Sequence, residues 1–417
     1  MNATRDEMLI MPEALAAAEE YMLRFLTAGE SHGPGLTVIV EGLPRGIPVT
    51  RESLGLELAR RRRGYGRGPR ARNEEERIEL MAGIRAGLTT GAPISVLLRH
   101  SRWDDWRPLL DAAPQPEGGE VFAVSGADLH GVTAAPSRPR PGHADLAGAI
   151  KYGLTDLRDV IERASARETA ARTVAGTMAR SLLHLLGIEI GSCVISVGPI
   201  TAEMPADTGA AFVYAESSPL RTIDPRAEQE MMAAIDRAKA DGDTLGGVFL
   251  LIARGVPAGL GSYTQWDRRL DARLAGALMS IPSVKGVECG DGFALAALPG
   301  SAAHDEILRR ESLGYVRGSN HAGGLEGGLS NGEPIVLRGA VKPVPTLYKP
   351  LASIDLKTGQ SAPAAIERSD VCVVPAAAVV AEAMTAWVLA EACLEKFGGD
   401  TVEEFLRSFR AYQVERS

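Results

Sequence analysis

Two stretches far apart in this chain echo one another. Leu36 to Pro48 reads as a strand closed by Gly42-Leu43-Pro44-Arg45-Gly46-Ile47, and Val248 to Gly261 as a strand closed by Gly255-Val256-Pro257-Ala258-Gly259-Leu260. Both follow the pattern G-x-P-x-G-[IL]. A second pair agrees: Thr90-Gly91-Ala92-Pro93-Ile94 with Arg99, against Asn331-Gly332-Glu333-Pro334-Ile335 with Arg338. Two related halves of this kind predict one α/β fold, a sandwich of pseudo-repeated halves. No Gly/Ser linker or charge run separates them, so the 417 residues read as a single large domain. Its expected span is 22–400, with 1–21 an N-terminal extension and 401–417 a C-terminal tail.

Periodicity places the elements. The β-branched segments at 36–42, 92–98, 192–197, 247–253 and 334–337 read as strands. A helix is expected from Ser165, where Ser165 and Glu168 spell a capping box, with Ala170, Val174, Met178 and Leu182 along one face and Gly187 at its end. A second runs from about Asp267 with Leu270, Leu274 and Leu278 on one face, and stops before Pro282. A third opens with Pro375 in its first turn and continues through Glu382, Trp387 and Leu394 to Gly398. Residues 101–142 read as a long Pro/Gly-rich connection, and connections of that length are usually functional or disordered.

Charge then restricts the partner. Six arginines crowd into Arg60-Arg61-Arg62-Arg63-Gly64-Tyr65-Gly66-Arg67-Gly68-Pro69-Arg70, inside a chain of net charge −8. Like charges at that density need an anion or a set of acids to answer them. In an acidic chain with few aromatics, that favours a defined anionic ligand over nucleic acid, which would require steeply salt-dependent binding to a basic surface. The interleaved glycines are expected to let backbone approach the ligand, and the guanidiniums to grip phosphate or carboxylate in bidentate fashion. Cys193, Cys289, Cys372 and Cys393 are scattered, which fits reduced thiols in a cytosolic protein and offers no zinc spacing. No uncharged apolar run reaches bilayer length, and residues 1–21 lack the layout of a secretory signal.

Gly29-Glu30-Ser31-His32-Gly33 matches G-x-S-x-G literally, yet a nucleophile elbow needs a strand before the serine and a helix after it. Here Pro34-Gly35 and a strand follow, so His32 reads as a loop histidine facing a ligand. Arg138-Pro139-Arg140-Pro141-Gly142-His143-Ala144-Asp145 repeats the theme, two stiffened arginines and then a histidine, with Asp145 in position to cap a helix. A histidine beside phosphate-binding arginines can act as general acid on a leaving phosphate. Arg167 lies at a helix N-terminus, a poor place for a cation unless an anion joins it there. Gly323-Gly324-Leu325-Glu326-Gly327-Gly328 leads into a turn and a strand, unlike a dinucleotide loop, and suits a flat ligand lying against backbone. Glu367-Arg368-Ser369-Asp370 and Lys342-Pro343-Val344-Pro345-Thr346 are further rigid charged loops. His184, inside a leucine run, reads as structural, and His100, His130, His304 and His321 receive no role. Phosphate chemistry on a small acidic molecule follows, with a flavin-free phosphatase or lyase of related sugar phosphates as the competing reading.

Taken together and in order, RRRRGYGRGPR, RPRPGHADLAGAIKYG, ASARETAAR, DGDTLGGV, GLGSYTQWDRRLDARLA, GGLEGG, KPVPTLYKPL and ERSDVC resemble the chorismate synthase family, from Met22 to about Gly398. The resemblance implies conversion of 5-enolpyruvylshikimate 3-phosphate to chorismate by 1,4-elimination of phosphate. It implies reduced FMN as cofactor, without net redox change, a β-α-β sandwich, a cytoplasmic homotetramer and a place in aromatic amino acid biosynthesis. By the same resemblance Ser31, Arg61, Arg67, Arg70, Arg140 and Arg167 would bind substrate. His32 would be the acid toward the leaving phosphate, His143 would protonate or stabilise the reduced flavin, and Asp370 would assist proton removal. Ser165, Ala166, Arg167, Pro282, Ser283, Gly327, Lys342, Pro343, Val344, Pro345, Thr346 and Arg368 would hold FMN. Pro282 and Ser283 stand where many relatives carry an Asn-Ala pair. With no flavin-reductase domain visible, the reduced flavin is expected from an external reductant.

Overall fold

The computed structural model describes residues 23–68, 76–112, 136–204, 208–310, 314–367 and 369–414. The extension at 1–21, Arg70, His130 and Arg368 lie outside the described residues.

Alternation dictates the first sheet. In the strand Gly35–Glu41, Leu36, Val38 and Val40 are buried while Thr37, Ile39 and Glu41 face outward. The strand Ile94–His100 does the same with Ile94, Val96 and Leu98 inward. These two form the antiparallel centre of the sheet, flanked by Arg24–Ala28 on one side and Glu76–Ala82 on the other. The second sheet is also antiparallel, in the order Val284–Cys289, Ile335–Val341, Gly247–Arg254, Glu189–Val197, Ile200–Thr201. Gly247–Arg254 reads as a continuous apolar run because both its faces are covered. Phe249 and Leu251 enter the main core, and Leu250 and Ile252 meet Cys193 and Ala215 on the other side.

The pseudo-repeat seen in the sequence is a repeat of hydrogen bonds. In the first half, Gly46 N–H donates to the Thr89 carbonyl (2.9 Å), Ile47 N–H to Thr89 Oγ1 (2.9 Å), and Thr89 Oγ1 to the Pro44 carbonyl (2.6 Å). In the second, Gly259 N–H donates to the Ser330 carbonyl (2.7 Å), Leu260 N–H to Ser330 Oγ (2.9 Å), and Ser330 Oγ to the Pro257 carbonyl (2.6 Å). A buried hydroxyl thus locks the G-x-P-x-G arm to a short hairpin in each half.

Helices Arg51–Arg62, Thr169–His184, Leu270–Met279 and Val374–Phe397 fill the space between the sheets. The last of them is long and apolar enough to cross a membrane by composition, yet 89% of its most apolar window is buried in this core. It crosses Thr169–His184 closely, because Gly176 has no side chain: an added Cβ would lie 2.4 Å from Ala383. One ionised group sits in its apolar middle. Glu382, fully buried, takes contacts from Arg60 (2.8 Å), Arg180 (2.6 Å), Arg221 (3.0 Å) and Ser192 Oγ (2.5 Å). Burial pushes its carboxyl up, but those cations overcome it and hold Glu382 down at about 2.

Four local expectations change. Ser165 Oγ accepts from Arg167 N–H (3.4 Å) while Glu168 turns to Arg172 (2.8 Å), so the capping box does not close and a short 3-10 turn, Ala166–Glu168, precedes the helix. Asp145 sits inside the helix Asp145–Tyr152, with Ala144 at the cap position, because its carboxylate is taken by Arg140. The 101–142 connection includes a helix, Trp103–Leu110, that buries Trp106. Residues 402–414 form a helix that buries Phe405 and Phe409 against Phe397.

Candidate active site

The arginine run divides along a helix, since neighbouring side chains point about 100° apart. Arg60 turns to Glu382, Glu57 and Glu216, and is therefore structural. Arg61 turns the other way. It is buried, and its Nε donates to Thr169 Oγ1 (2.9 Å) and its Nη2 to the carbonyls of Ala166 (3.3 Å) and Arg167 (3.4 Å). Its Nη1 is buried with no hydrogen-bond partner, and among the described residues no carboxylate pairs with it. The glycines after it do not open toward a ligand as expected. Gly64 and Gly66, at φ +131° and +87°, bring this arm against Pro375 and Cys372, where a Cβ would lie 3.1 and 3.0 Å from their side chains. Arg67, buried, meets Asp370 (2.8 Å), whose other oxygen accepts from Gly68 N–H (2.6 Å).

His32 stands on the loop between Arg24–Ala28 and Gly35–Glu41. Gly29 at φ +113° allows the return, because a side chain there would strike the Gly35 carbonyl at 2.3 Å. The ring is buried. Its Nδ1 lies 2.9 Å from both Glu162 oxygens, its backbone N–H donates to Glu162 Oε2 (2.8 Å), and Ser31 N–H donates to the Glu162 carbonyl (3.1 Å). Trp106 stacks on the ring at 3.7 Å between centroids, and His100 approaches edge-on at 6.3 Å. Burial pushes the Glu162 carboxyl up, but hydrogen bonds from His32 and the nearby Arg158 hold it below the usual carboxylate range.

The second histidine is built alike. His143 Nδ1 lies 2.5 Å from Asp145 Oδ1, and Asp145 also takes Arg140 N (3.0 Å), Nε (2.8 Å) and Nη2 (3.1 Å). Arg140 Nη1 continues to Thr346 Oγ1 (3.0 Å), which ties this loop to the Lys342–Thr346 segment. Lys342 donates to the Gly142 carbonyl, and burial with Lys285 nearby pulls its ammonium below the usual lysine range. Glu367 lies between the two stations, 3.7 Å from Arg158 and 4.0 Å from Arg140.

Arg167 is buried and comes within 3.9 Å of Glu76, which pairs across the sheet with His100. Glu76 and His100 line one side of an open depression of about 600 Å³ with Arg77, Glu79, Arg99 and Ser101. Pro282-Ser283 joins the Lys342 loop, since Lys342 N–H donates to the Ser283 carbonyl (2.8 Å) and Ser283 takes a left-handed φ of +74°. Gly327, at φ +59° with open space where a side chain would stand, lies on the hairpin of the second half. No contact among the described residues joins it to the two histidines.

The fold places Arg61 beside Arg167 and Arg67 on Asp370, and it sets Ser31 and His32 on Glu162, which connects through Arg158 and Glu367 to Arg140, His143 and the Lys342–Thr346 segment. Sequence reasoning missed Glu162, Trp106, Thr169 and Glu76. Only Trp106 left a signal, as one of 4 tryptophans in an aromatic-poor chain. All four cysteines are free, and burial pushes Cys193 and Cys393 up to about 12 and Cys289 and Cys372 up to about 11, so none is a ready nucleophile.

Buried arginines beside two carboxylate-backed histidines suit a small anionic molecule. Comparison with known proteins agrees. The family model described as chorismate synthase matches residues 23–394. A chorismate synthase of Moorella thermoacetica is 54% identical over 397 residues, covering 94% of this chain and 100% of its own length. One from Desulforudis audaxviator is 53% identical over 394 residues, 94% of this chain and 97% of its own. A crystal structure of a chorismate synthase superposes with TM-score 0.73 at 41% identity, over 94% of this chain and 97% of that one. The chain belongs to the chorismate synthase family of carbon–oxygen lyases.

Proposed function

We propose that this chain converts 5-enolpyruvylshikimate 3-phosphate to chorismate and phosphate, in the shikimate route to aromatic amino acids. The observation that carries the reading is Arg61: a buried guanidinium met, among the described residues, by neutral oxygens alone, with Nη1 unsatisfied, calls for an anion to complete its surroundings. The substrate brings a phosphate and two carboxylates. Arg61, Arg67, Arg140 and Arg167, with Ser31 and Arg70, are the residues we assign to them.

The donor set also fits FMN, an anionic phosphate joined to a flat ring. Burial and the neighbouring Lys285 pull the Lys342 ammonium down, Thr346 is buried, and Gly327 leaves a gap where a side chain would stand. Ser165, Ala166, Arg167, Pro282, Ser283, Gly327, the segment Lys342 to Thr346, and Arg368 would hold it. Reduced FMN, when bound, supplies the electron density that an elimination of this kind needs without net redox change. The side chains do the rest. His32, backed by Glu162, donates a proton to the departing phosphate oxygen. His143 holds a proton toward the cofactor. Asp370, fixed by Arg67 and Gly68 N–H, is the carboxylate that takes up the proton released from the ring.

The same reading makes the enzyme cytoplasmic, fed with reduced flavin by an external reductant, and tetrameric. Leu26 and Ile39, cross-strand partners on the outward face of the first sheet, are 66% and 43% exposed, which supports self-association. A single-chain mass by light scattering would refute the tetramer.

The deciding experiment is anaerobic. Protein, 5-enolpyruvylshikimate 3-phosphate and photoreduced FMN are mixed, and chorismate absorbance and phosphate release are followed together. Equimolar product and phosphate, with none from oxidised FMN, is the expected result. Phosphate release without chorismate, or turnover without flavin, favours the flavin-free phosphatase or lyase instead.

A further inference from the structure

We propose that Glu162 is the positioning residue that decides where His32 carries its mobile proton. The inference rests on His32 acting as the acid in the reaction proposed above. A carboxylate can only accept, so His32 Nδ1, at 2.9 Å from both Glu162 oxygens, must bear a hydrogen in either charge state. The proton that comes and goes therefore sits on Nε2, the nitrogen turned away from Glu162. The same carboxylate takes the backbone N–H of His32 at 2.8 Å, so ring and main chain are held by one group and the imidazole cannot swivel. Trp106 closes one face of the ring at 3.7 Å.

Three charged or titratable groups near the ring are set by contacts among the described residues. Glu162 is the anion in direct contact, Arg158 lies behind it with Nη1 3.3 Å from Oε1, and His100 stands edge-on at 6.3 Å. Arg158 also reaches over Trp106 at 5.9 Å, so one cation steadies both the carboxylate and the stacking ring. His143 differs in a telling way. Its carboxylate, Asp145, is gripped three times by Arg140, through N, Nε and Nη2. Glu162 instead gives His32 three contacts, two at Nδ1 and one at the backbone N–H, and takes Arg158 Nη1 at Oε1.

The test reads the proton itself. In wild-type protein without substrate or flavin, ¹⁵N NMR should find neutral His32 as the Nδ1–H tautomer. In Glu162→Gln the amide can donate to Nδ1, and the tautomer should move to Nε2–H while the imidazolium pKa falls by about one unit or more. With reduced FMN and substrate, Glu162→Gln should lose at least about tenfold in kcat at near-unchanged KM, and the pH profile should shift with the His32 titration. Glu162→Asp should restore the tautomer and part of the rate, which also covers the case where Glu162→Gln folds poorly. An unchanged tautomer and titration in Glu162→Gln, or a wild-type Nε2–H tautomer, overturns the proposal. Wild-type protein that shows the Nδ1–H tautomer but forms no chorismate would instead refute the functional reading and leave the Glu162–His32 assignment standing.

Discussion

His32→Ala is expected to lower chorismate formation by roughly two to four orders of magnitude, the usual size of a lost general acid. The expectation comes from how much structure is invested in one ring. A buried imidazole held by a carboxylate at 2.9 Å, stacked on Trp106 and placed by a loop that only glycine at position 29 permits is over-determined for a packing residue. Alanine removes the proposed proton donor and leaves untouched the arginines proposed to bind the substrate. KM and FMN-dependent quenching of tryptophan fluorescence should therefore stay near wild type while kcat collapses. His143→Ala should fall in the same range. Near-normal turnover in both variants, under anaerobic conditions with photoreduced FMN, would remove the acid–base assignments altogether.

Glu382→Ala should be the most destabilising single change, by about 3–5 kcal/mol, because breaking a buried ion cluster strands the remaining charges. Arg60, Arg180 and Arg221 converge on this one carboxylate in the middle of an apolar helix. Removing it leaves three guanidiniums competing for Glu57 and Glu216. Urea unfolding at neutral pH checks the magnitude, and a midpoint indistinguishable from wild type would show the cluster to be energetically idle. Acid supplies a second reading. The folded value of Glu382, about 2, lies below its ordinary 4.5. Its contribution is therefore complete above about pH 4.5 and drains away as pH falls toward 2. Wild type should lose stability faster than Glu382→Gln across that window. The cluster also bears on the site, since Arg60 anchors the helix end from which Arg61 projects. The folded fraction of Glu382→Ala should bind substrate less well.

Much of this protein was written in local pattern. The strand at Gly35–Glu41 was legible because its inward residues alternate with outward ones, and the helix Val374–Phe397 because Pro375 opens it and Gly398 closes it. The two halves were visible because each repeats the backbone turn that its buried hydroxyl locks. The motif histidines and arginines stood out for a related reason: charge and glycine placed in a rigid loop are anomalous unless a ligand answers them.

What the sequence alone determined, then, was the succession of elements, the repeat and the residues able to meet an anion, all properties of neighbours along the chain. Only the tertiary structure decided which arginine of the run faces inward to Glu382 and which toward Thr169, that Gly64 and Gly66 serve packing against Pro375 and Cys372, and that Glu162 stands behind His32. These are pairings across 108 residues between Arg61 and Thr169, 130 between His32 and Glu162, and 322 between Arg60 and Glu382. A glutamate has the same local appearance whether it faces water or a buried imidazole. Its surroundings, set by the packing of distant segments, separate the two.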